Sequence, residues 1–250
     1  MGDHIDRTTW DALNTHYYSA ISPTTGEANL FTTHYDRLLE RMLPQFALAK
    51  VRLAEDVLRV KEPGTPLKIL DIGAGSGALA IDLLMACRRL GLPSDEITYA
   101  GLEPSTYMRR HFRANCVRKI GRTPFPAHWT LRKGSIEQVD ARPTDYLKAE
   151  IPTAVVFSFS LHHCFQASVK RFFRNRIIKQ LAHAMFVLEV STAHGWTKPY
   201  YMWADCESPE NFHNILDPGI WTPQTLWHEP TLAPEAQAPD HEFCALQVRT

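Results

Sequence analysis

The stretch LKILDIGAGSGALAIDLL, residues 67–84, runs from an apolar segment through a glycine-rich turn into a helical pattern. Gly73, Gly75 and Gly77 have no Cβ, so the chain can turn tightly there and a ligand can approach the backbone closely. An apolar strand, a glycine turn and a helix in this order predict the binding site of a nucleotide-containing cofactor.

The glycine turn leaves two kinds of cofactor open. Gly73, Gly75 and Ala78 satisfy the G-x-G-x-x-A pattern of dinucleotide enzymes, and Glu103, at the end of the next predicted strand, suits ribose hydroxyls with either cofactor. Asp71 separates the two, because a carboxylate beside the turn would repel a pyrophosphate. S-adenosyl-methionine instead brings an ammonium and a sulfonium group and no phosphate. A nicotinamide dehydrogenase is therefore the poorer alternative.

Strand and helix patterns alternate from residue 67 onwards, which predicts parallel βαβ units in a doubly wound, mostly parallel α/β sheet. The predicted strands are 67–72, 96–103, 127–134, 153–160, 184–190 and 242–250, with 222–229 as a helix or an edge strand. The predicted helices are 76–90, 105–119, a short one near 143–149, and 166–181. Residues 1–60 are predicted to be helical with an interruption at SPTTGEAN (22–29), and Pro44 marks a break that makes the following stretch one kinked helix or two.

Three motifs occur in a meaningful order: LDIGAGSG (70–77), GLEPS (101–105) and SFSLHH (158–163). Together, over about residues 67–190, they resemble the class I S-adenosyl-methionine-dependent methyltransferases. The resemblance implies a Rossmann-like domain over residues 61–250 and an N-terminal helical lid over residues 1–60. The cofactor contacts that it implies are Asp71, Gly73, Ala74, Gly75, Glu103, Pro104, Met108, Ser135, Ile136, Phe159, Ser160 and Tyr18.

The roles implied for these residues follow the parts of the cofactor. Asp71 would organise the methionine amino group, Glu103 would accept hydrogen bonds from the ribose hydroxyls, and Met108 would lie near adenine. Two departures from the family pattern stand out. Ser135 replaces an aspartate that many relatives use, and QLAHAMFVLEV (180–190) replaces a Pro-Gly-Gly turn before the fifth strand. These departures indicate a divergent subfamily.

The adjacent histidines His162 and His163 follow the fourth predicted strand, at the edge where parallel sheets bind ligands. A metal site is disfavoured, because adjacent side chains point in different directions and metal ligands are usually spaced along the chain. Methyl transfer to a hydroxyl requires removal of a proton, which a histidine can accept near neutral pH. We expect His162, and secondly His163, to act as the base or to position the acceptor, with a structural role as the alternative.

Three aromatic stretches flank the predicted sheet: HYYSAIS (16–22) and LFTTHYDRLLE (30–40) before it, and STAHGWTKPYYMWADC (191–206) after its fifth strand. Large flat side chains suit a lid or an apolar acceptor pocket, although each stretch could equally cover the core or the sheet edge. The expected acceptor-binding residues are Tyr17, His34, Tyr35, His194, Trp196 and Tyr200.

Composition excludes several partners. Lysine plus arginine equal aspartate plus glutamate at 27 each, so no overall field attracts nucleic acid or an anionic membrane. The basic stretch 108–122 has helical spacing and is interpreted as a solvated face. Five scattered cysteines and the lack of a signal-like or membrane-spanning apolar segment predict a cytoplasmic protein. The oligomeric state stays open, with a homodimer as one option.

These features predict an S-adenosyl-methionine-dependent methyltransferase that acts on a small-molecule hydroxyl or amine in secondary metabolism and releases S-adenosyl-homocysteine. The predicted partner is the small-molecule acceptor, without nucleic acid, membrane or metal. A peptide or protein methyltransferase and a non-catalytic protein that binds S-adenosyl-methionine are the alternatives.

Overall fold

The computed structural model describes residues 7–8, 46–120, 126–192, 222–230 and 241–249. Within them, the helices are α1 (Phe46–Arg59), α2 (Ala78–Leu90), α3 (Thr106–Ile120), α4 (Ile136–Ala141), α5 (Pro143–Tyr146), α6 (Gln166–Arg174) and α7 (Arg176–Leu181). The strands are β1 (Leu67–Ile72), β2 (Ile97–Leu102), β3 (Thr130–Arg132), β4 (Thr153–Ser158), β5 (Ala184–Thr192), β6 (Thr222–Pro230) and β7 (His241–Arg249).

The strands form one sheet in the order β3-β2-β1-β4-β5-β7-β6. The first five in chain order pair in parallel, while β7 runs antiparallel to β5 and β6 antiparallel to β7 at the edge. The predicted doubly wound, mostly parallel sheet is therefore confirmed. Since β1 pairs with β2 on one side and β4 on the other, the strand order reverses at β1 and β4, where open α/β sheets bind ligands.

Two apolar clusters cover the two faces of the sheet. One joins α1, α2 and α3 to residues such as Ile69, Tyr99 and Val156, and the other joins α4, α6 and α7 to residues such as Leu70 and Val155. Neighbours along a strand thus bury opposite faces, which explains why the parallel strands read as continuous apolar runs.

The predicted helix 166–181 is wrong in one respect, because the chain breaks at Asn175 into α6 and α7. Asn175 has an extended backbone (φ −77°, ψ 106°), and its Oδ1 accepts a hydrogen bond from the backbone N–H of Ile177 at 3.0 Å. Its Nδ2 also donates to the carbonyl oxygen of Asp140 at 3.1 Å. These local hydrogen bonds compete with the continuous helix that the apolar periodicity predicts.

Two other predicted boundaries also differ from the structure. The short helix expected near 143–149 is replaced by α4 and α5, with Ser135 as the N-cap of α4 and Pro143 in the first turn of α5. The third strand is three residues long rather than 127–134. Buried Trp129 stands just before it and donates from Nε1 to the carbonyl oxygen of Ile97 at 2.7 Å, so side-chain anchoring replaces strand pairing there.

Candidate functional site

A pocket opens at the carboxyl ends of β1 and β4, between the glycine turn and the start of α2. Gly73 and Gly75 adopt φ angles of +83° and +53°, in the left-handed region that glycine tolerates best. The backbone N–H groups of Gly73 and Ala74 both donate to the carbonyl oxygen of Leu102, at 2.8 and 3.0 Å. The residues that line the pocket are Lys50, Asp71, Gly73, Ala74, Gly75, Ser76, Ala78, Leu79, Ser158 and Phe159.

Ser160 packs directly against the first glycine of the turn. A Cβ on Gly73 would lie 2.5 Å from the Cβ of Ser160, so only glycine fits between the two strands. The Ser160 hydroxyl donates to the carbonyl oxygen of Ile72 at 2.7 Å. Ser160 therefore fixes the turn, and any contact that it makes with a ligand would be secondary to this role.

Asp71 combines deep burial with an incomplete set of hydrogen bonds. Its side chain accepts a hydrogen bond at Oδ2 from the Tyr99 hydroxyl, at 2.6 Å. Its Oδ1 is buried and has no hydrogen-bond partner among the described residues. Burial raises the pKa of Asp71 to about 7, the Tyr99 hydrogen bond acts in the opposite direction, and the nearby Glu103 adds to the rise. A bound cation would stabilise this carboxylate and supply the missing donor.

Glu103, directly after β2, uses both carboxylate oxygens to hold the chain. Oε1 accepts from the backbone N–H of Ser105 at 2.7 Å, and Oε2 accepts from that of Gly75 at 3.0 Å. Burial raises its pKa, although these two hydrogen bonds and Arg109 partly oppose the rise. Each oxygen keeps capacity for a further hydrogen bond, so the carboxylate can accept from two ligand hydroxyls.

The loop after Glu103 and the start of α4 form the neighbouring wall. Met108 is buried, and its Cε would lie 3.8 Å from a Cβ on Gly75, which places it over the turn. Ile136 is buried at the start of α4, and the Ser135 backbone N–H donates to Gln138 Oε1 at 3.2 Å. Arg109 donates to the carbonyl oxygen of Pro104 at 2.7 Å and so holds the loop in place.

Phe159 is the non-glycine residue with a positive φ, at +56°, within the described part of the chain. Its backbone N–H donates to the carbonyl oxygen of Leu188 at 2.7 Å, which holds β4 against β5. The left-handed region costs a bulky residue about 1–2 kcal/mol, and such strain is concentrated at functional sites. Phe159 lines the pocket.

Comparison with solved structures identifies the fold that carries this pocket. Magnesium protoporphyrin IX methyltransferase from Synechocystis, solved with bound S-adenosyl-methionine, is 13% identical with a TM-score of 0.51, and the match covers 99% of this chain and 94% of that one. The chain has a methyltransferase fold. The carbon methyltransferase CurJ shares the fold at 14% identity and a TM-score of 0.52, over 98% of this chain and 68% of that one. These similarities confirm the predicted fold class.

One sequence relative adds a second comparison. A segment covering 70% of the chain is 26% identical over 181 residues to the non-reducing polyketide synthase sorB of Penicillium rubens. The match spans 6% of that relative's length. No protein-family model matches the chain.

The two histidines lie just after β4, at the carboxyl edge of the parallel strands. Leu161–His163 forms a single 3₁₀ turn directly after Ser160, and the His163 backbone N–H donates to the carbonyl oxygen of Ser160 at 3.1 Å. The side chain of His162 lies outside the described part, so its role stays a prediction. Among the described residues, no three histidine, cysteine, aspartate or glutamate side chains gather as metal ligands do.

Part of the predicted site falls in segments that the structure does not describe. Seven predicted residues lie outside the described residues: Tyr17, Tyr18, His34, Tyr35, His194, Trp196 and Tyr200. The helices that it does describe are too short or too polar to cross a lipid bilayer.

Lys50 and Ser158 also line the pocket, although the sequence motifs assign neither of them a role there. Lys50 is 8% exposed and precedes the buried Leu53, Ala54 and Val57 by three, four and seven residues along α1. This spacing puts a cation on the apolar face of a helix, where lysine is rarely found without a reason. That pattern was the available signal for Lys50.

Proposed function

We propose that this protein binds S-adenosyl-methionine and transfers its methyl group to a small-molecule acceptor, leaving S-adenosyl-homocysteine. The observation that carries the proposal is Asp71 Oδ1, a buried carboxylate oxygen beside the glycine turn with no hydrogen-bond partner among the described residues. The cofactor's ammonium group would supply both the missing donor and the opposite charge. A pyrophosphate at the same turn would meet a negative charge instead.

The other pocket groups fit the remaining parts of the cofactor. Lys50, in the same pocket as Asp71, would face the methionine carboxylate. Glu103 would accept from the ribose hydroxyls with the lone pairs that its two backbone donors leave free. Met108 and Ile136 would supply apolar surface for adenine, and the Ser135 hydroxyl would stand where an acid is usual.

S-adenosyl-methionine supplies a methyl group on a sulfonium centre, so the chain's own task is to align the acceptor, exclude water and remove a proton where the acceptor carries one. His162, on the turn after β4, is the proposed base or acceptor-positioning group for a hydroxyl or amine, with His163 second. The acceptor would lie against the aromatic residues of 16–40 and 191–206.

The N-terminal segment is proposed as the lid over this site. Arg7, far upstream in the sequence, forms an ion pair with Glu137 on α4 at 2.9 Å. Its guanidinium also lies 5.3 Å from the ring centre of Phe165, just before α6. Arg7 thus lies near the same edge of the sheet as the glycine turn, which supports a covering role for the segment that contains it.

A carbon acceptor is the second candidate. It is favoured by the sequence similarity to a polyketide synthase and by the shared fold with a carbon methyltransferase. An acidic carbon between two carbonyl groups, as in a β-keto thioester, must lose a proton before it attacks the methyl group. His162 would then take the proton from carbon rather than from oxygen or nitrogen.

A substrate panel tests the proposed function. Purified protein, S-adenosyl-methionine and one acceptor at a time (a phenol, an aromatic amine, a β-keto thioester or a peptide) would be assayed for release of S-adenosyl-homocysteine. We expect release with a small molecule and none with peptides. Release with the thioester alone would select the carbon acceptor. Cofactor binding without release across the panel would instead indicate a non-catalytic binding protein.

A variant tests the proposed base. With a hydroxyl acceptor, His162→Ala should lower kcat by about 10²-fold or more while the affinity for S-adenosyl-homocysteine stays the same, since general bases contribute on that scale. His128→Ala is a matched control, because its Nε2 lies 3.0 Å from the carbonyl oxygen of Ile97, at the opposite end of β2 from Glu103. Full turnover by His162→Ala would exclude His162 as the general base.

A further inference from the structure

Tyr99, in the middle of β2, is the hydrogen-bond partner of the Asp71 side chain on the neighbouring strand β1. Its side chain is fully buried, and its hydroxyl donates to Asp71 Oδ2 at 2.6 Å. The sequence motifs that mark the cofactor site do not include Tyr99. Tyr99 therefore belongs to the site indirectly, because it acts on the pocket through the side chain of Asp71.

A missing side chain makes this contact possible. Gly101 pairs with Asp71 in the register of β1 and β2, and it follows Tyr99 by two residues on the same face of β2. A Cβ on Gly101 would lie 2.9 Å from the Tyr99 hydroxyl oxygen and 3.0 Å from the Cβ of Ala74. The glycine thus leaves the space through which the tyrosine hydroxyl passes to reach the carboxylate.

Two aromatic side chains pack against the tyrosine ring. It stacks on Trp129 with ring centres 5.2 Å apart and an angle of 26° between the planes, and Phe112 lies tilted against it at 6.3 Å. Trp129 is itself anchored to the carbonyl oxygen of Ile97. A ring packed in this way can deliver its hydroxyl to one position only, so it can orient the carboxylate of Asp71.

We infer that Tyr99 is the positioning residue of the amino-acid subsite: by occupying Oδ2 it directs Asp71 Oδ1 to the ligand's ammonium group, and Gly101 makes room for it. This inference rests on the proposed function. It assigns to β2 a second role in ligand binding, beside the ribose contact proposed for Glu103.

The charges around Asp71 give the inference a pH signature. Among the described residues, the titratable and charged groups near it are Tyr99 on β2, Glu103 after β2 and Lys50 on α1. Burial and the Asp71 carboxylate raise the pKa of Tyr99 well above its usual value, so it remains a donor at neutral pH. Because the Tyr99 hydrogen bond opposes the burial-driven rise in the pKa of Asp71, its removal should raise that pKa above about 7.

Two ligands and one variant test the inference. S-adenosyl-homocysteine carries the amino-acid group, whereas 5′-methylthioadenosine lacks it and reports on the rest of the site. In calorimetry from pH 6 to 9, the wild-type affinity for S-adenosyl-homocysteine should rise as Asp71 ionises near pH 7. In Tyr99→Phe this rise should move to higher pH, with a roughly tenfold loss of affinity at pH 7, because the carboxylate loses a hydrogen bond to its charged form. The affinity for 5′-methylthioadenosine should not change.

Two further variants keep the test decisive. Tyr146→Phe removes a hydroxyl from α5. The backbone carbonyl oxygen of Tyr146 accepts a hydrogen bond from Lys68, near the opposite end of β1 from Asp71, so this variant should leave both affinities unchanged. Gly101→Ala displaces the Tyr99 hydroxyl without removing it and should move the pH profile for S-adenosyl-homocysteine in the same direction as Tyr99→Phe, although its Cβ also presses on Ala74 in the turn. Binding of 5′-methylthioadenosine by each variant shows that it is folded.

Three results would overturn the inference. The first is a Tyr99→Phe protein with the wild-type pH profile for S-adenosyl-homocysteine. The second is an equal loss of affinity for both ligands in Tyr99→Phe, which would reduce Tyr99 to a packing role. The third is a wild-type protein that binds 5′-methylthioadenosine but gains nothing from the amino-acid group. Binding of neither ligand to the wild type would overturn the proposed function itself.

Discussion

Glu103 Oε2 accepts a hydrogen bond from the backbone N–H of Gly75 at 3.0 Å, so a carboxylate at the end of β2 fixes the turn that follows β1. The other carboxylate oxygen holds Ser105, at the start of the next loop. One side chain therefore joins the two segments between which we propose that the ribose binds. The stability of the turn and the affinity for the cofactor should depend on the same residue.

Glu103→Gln should weaken both properties. The amide has one acceptor oxygen where the carboxylate has two, and its NH₂ group would face one of the two backbone donors, which should cost about 1–3 kcal/mol of unfolding free energy. The affinity for S-adenosyl-homocysteine should fall about tenfold or more. Urea denaturation and calorimetry measure the two effects. Glu55→Gln is the control, because its 2.9 Å ion pair with Arg89 is partly exposed and should contribute less than about 1 kcal/mol. An unchanged affinity in Glu103→Gln would exclude the ribose contact.

Gly73→Ala tests the close packing of the turn against Ser160. Its positive φ and the Cβ contact of 2.5 Å both oppose alanine. Gly64→Ala is the matched control, since Gly64 has a φ of +72° with no atom within 4 Å of an added Cβ. We expect about 1 kcal/mol of destabilisation in the control and about 1–3 kcal/mol more in Gly73→Ala, measured by chemical denaturation. Equal losses of stability in the two variants would mean that Ser160, after β4, does not constrain Gly73.

Asp71→Asn should stabilise the ligand-free protein at alkaline pH. The folded-state pKa of Asp71, about 7, lies above its ordinary value of 3.8, so its contribution to stability is fully present below about pH 4 and is lost as the pH rises through 7. The variant should therefore exceed the wild type by about 1–3 kcal/mol at pH 8, a rise in Tm of several degrees, and by much less at pH 5.

Comparing the wild type with Asp71→Asn isolates the effect of Asp71 ionisation on stability. Burial also raises the pKa of Asp82, to about 6, against the opposing charges of Lys50, Lys119 and Arg89, but Asp82 is present in both proteins and largely cancels. Thermal denaturation at the two pH values gives the result. A gain of the same size at pH 5 and pH 8 would show that ionisation of Asp71 is not its source.

Lys50→Met tests the proposed carboxylate contact. Methionine keeps most of the apolar stem, so the fold should persist while the affinity for S-adenosyl-homocysteine falls about tenfold, the scale of one charge-assisted hydrogen bond. The decarboxylated analogue S-adenosyl-3-thiopropylamine should bind the wild type and the variant equally. Lys61→Met is the control, since its ion pair with Glu96 (2.5 Å) should affect stability and not ligand affinity. If Lys50→Met lost the same affinity for both ligands, Lys50 would not bind the carboxylate of the ligand.

The glycine turn and its strand were predictable because their signals are local. The apolar run 67–72 coincides with β1, and the positions of the glycines follow directly from it. Glu103 was predictable for the same reason, since it ends a short apolar strand. The break at Asn175 was not, because a side chain that bonds to the neighbouring backbone overrides the helical periodicity without changing it.

The partners of Asp71 were harder to predict because they depend on tertiary geometry. Tyr99 reaches Asp71 through the register of β1 against β2, which an apolar pattern does not specify. Lys50 enters the pocket from α1 through the packing of that helix against α2. Hydrophobic periodicity shows which face of a helix is buried, but it does not show what that face will meet.

Calorimetry of the wild-type protein with S-adenosyl-homocysteine and with NAD⁺ tests the central claim most directly. The buried carboxylate of Asp71 beside the glycine turn predicts saturable binding of S-adenosyl-homocysteine at one site per chain, abolished or strongly weakened by Asp71→Asn, and no binding of NAD⁺. Saturable binding of NAD⁺ without binding of S-adenosyl-homocysteine would contradict the account.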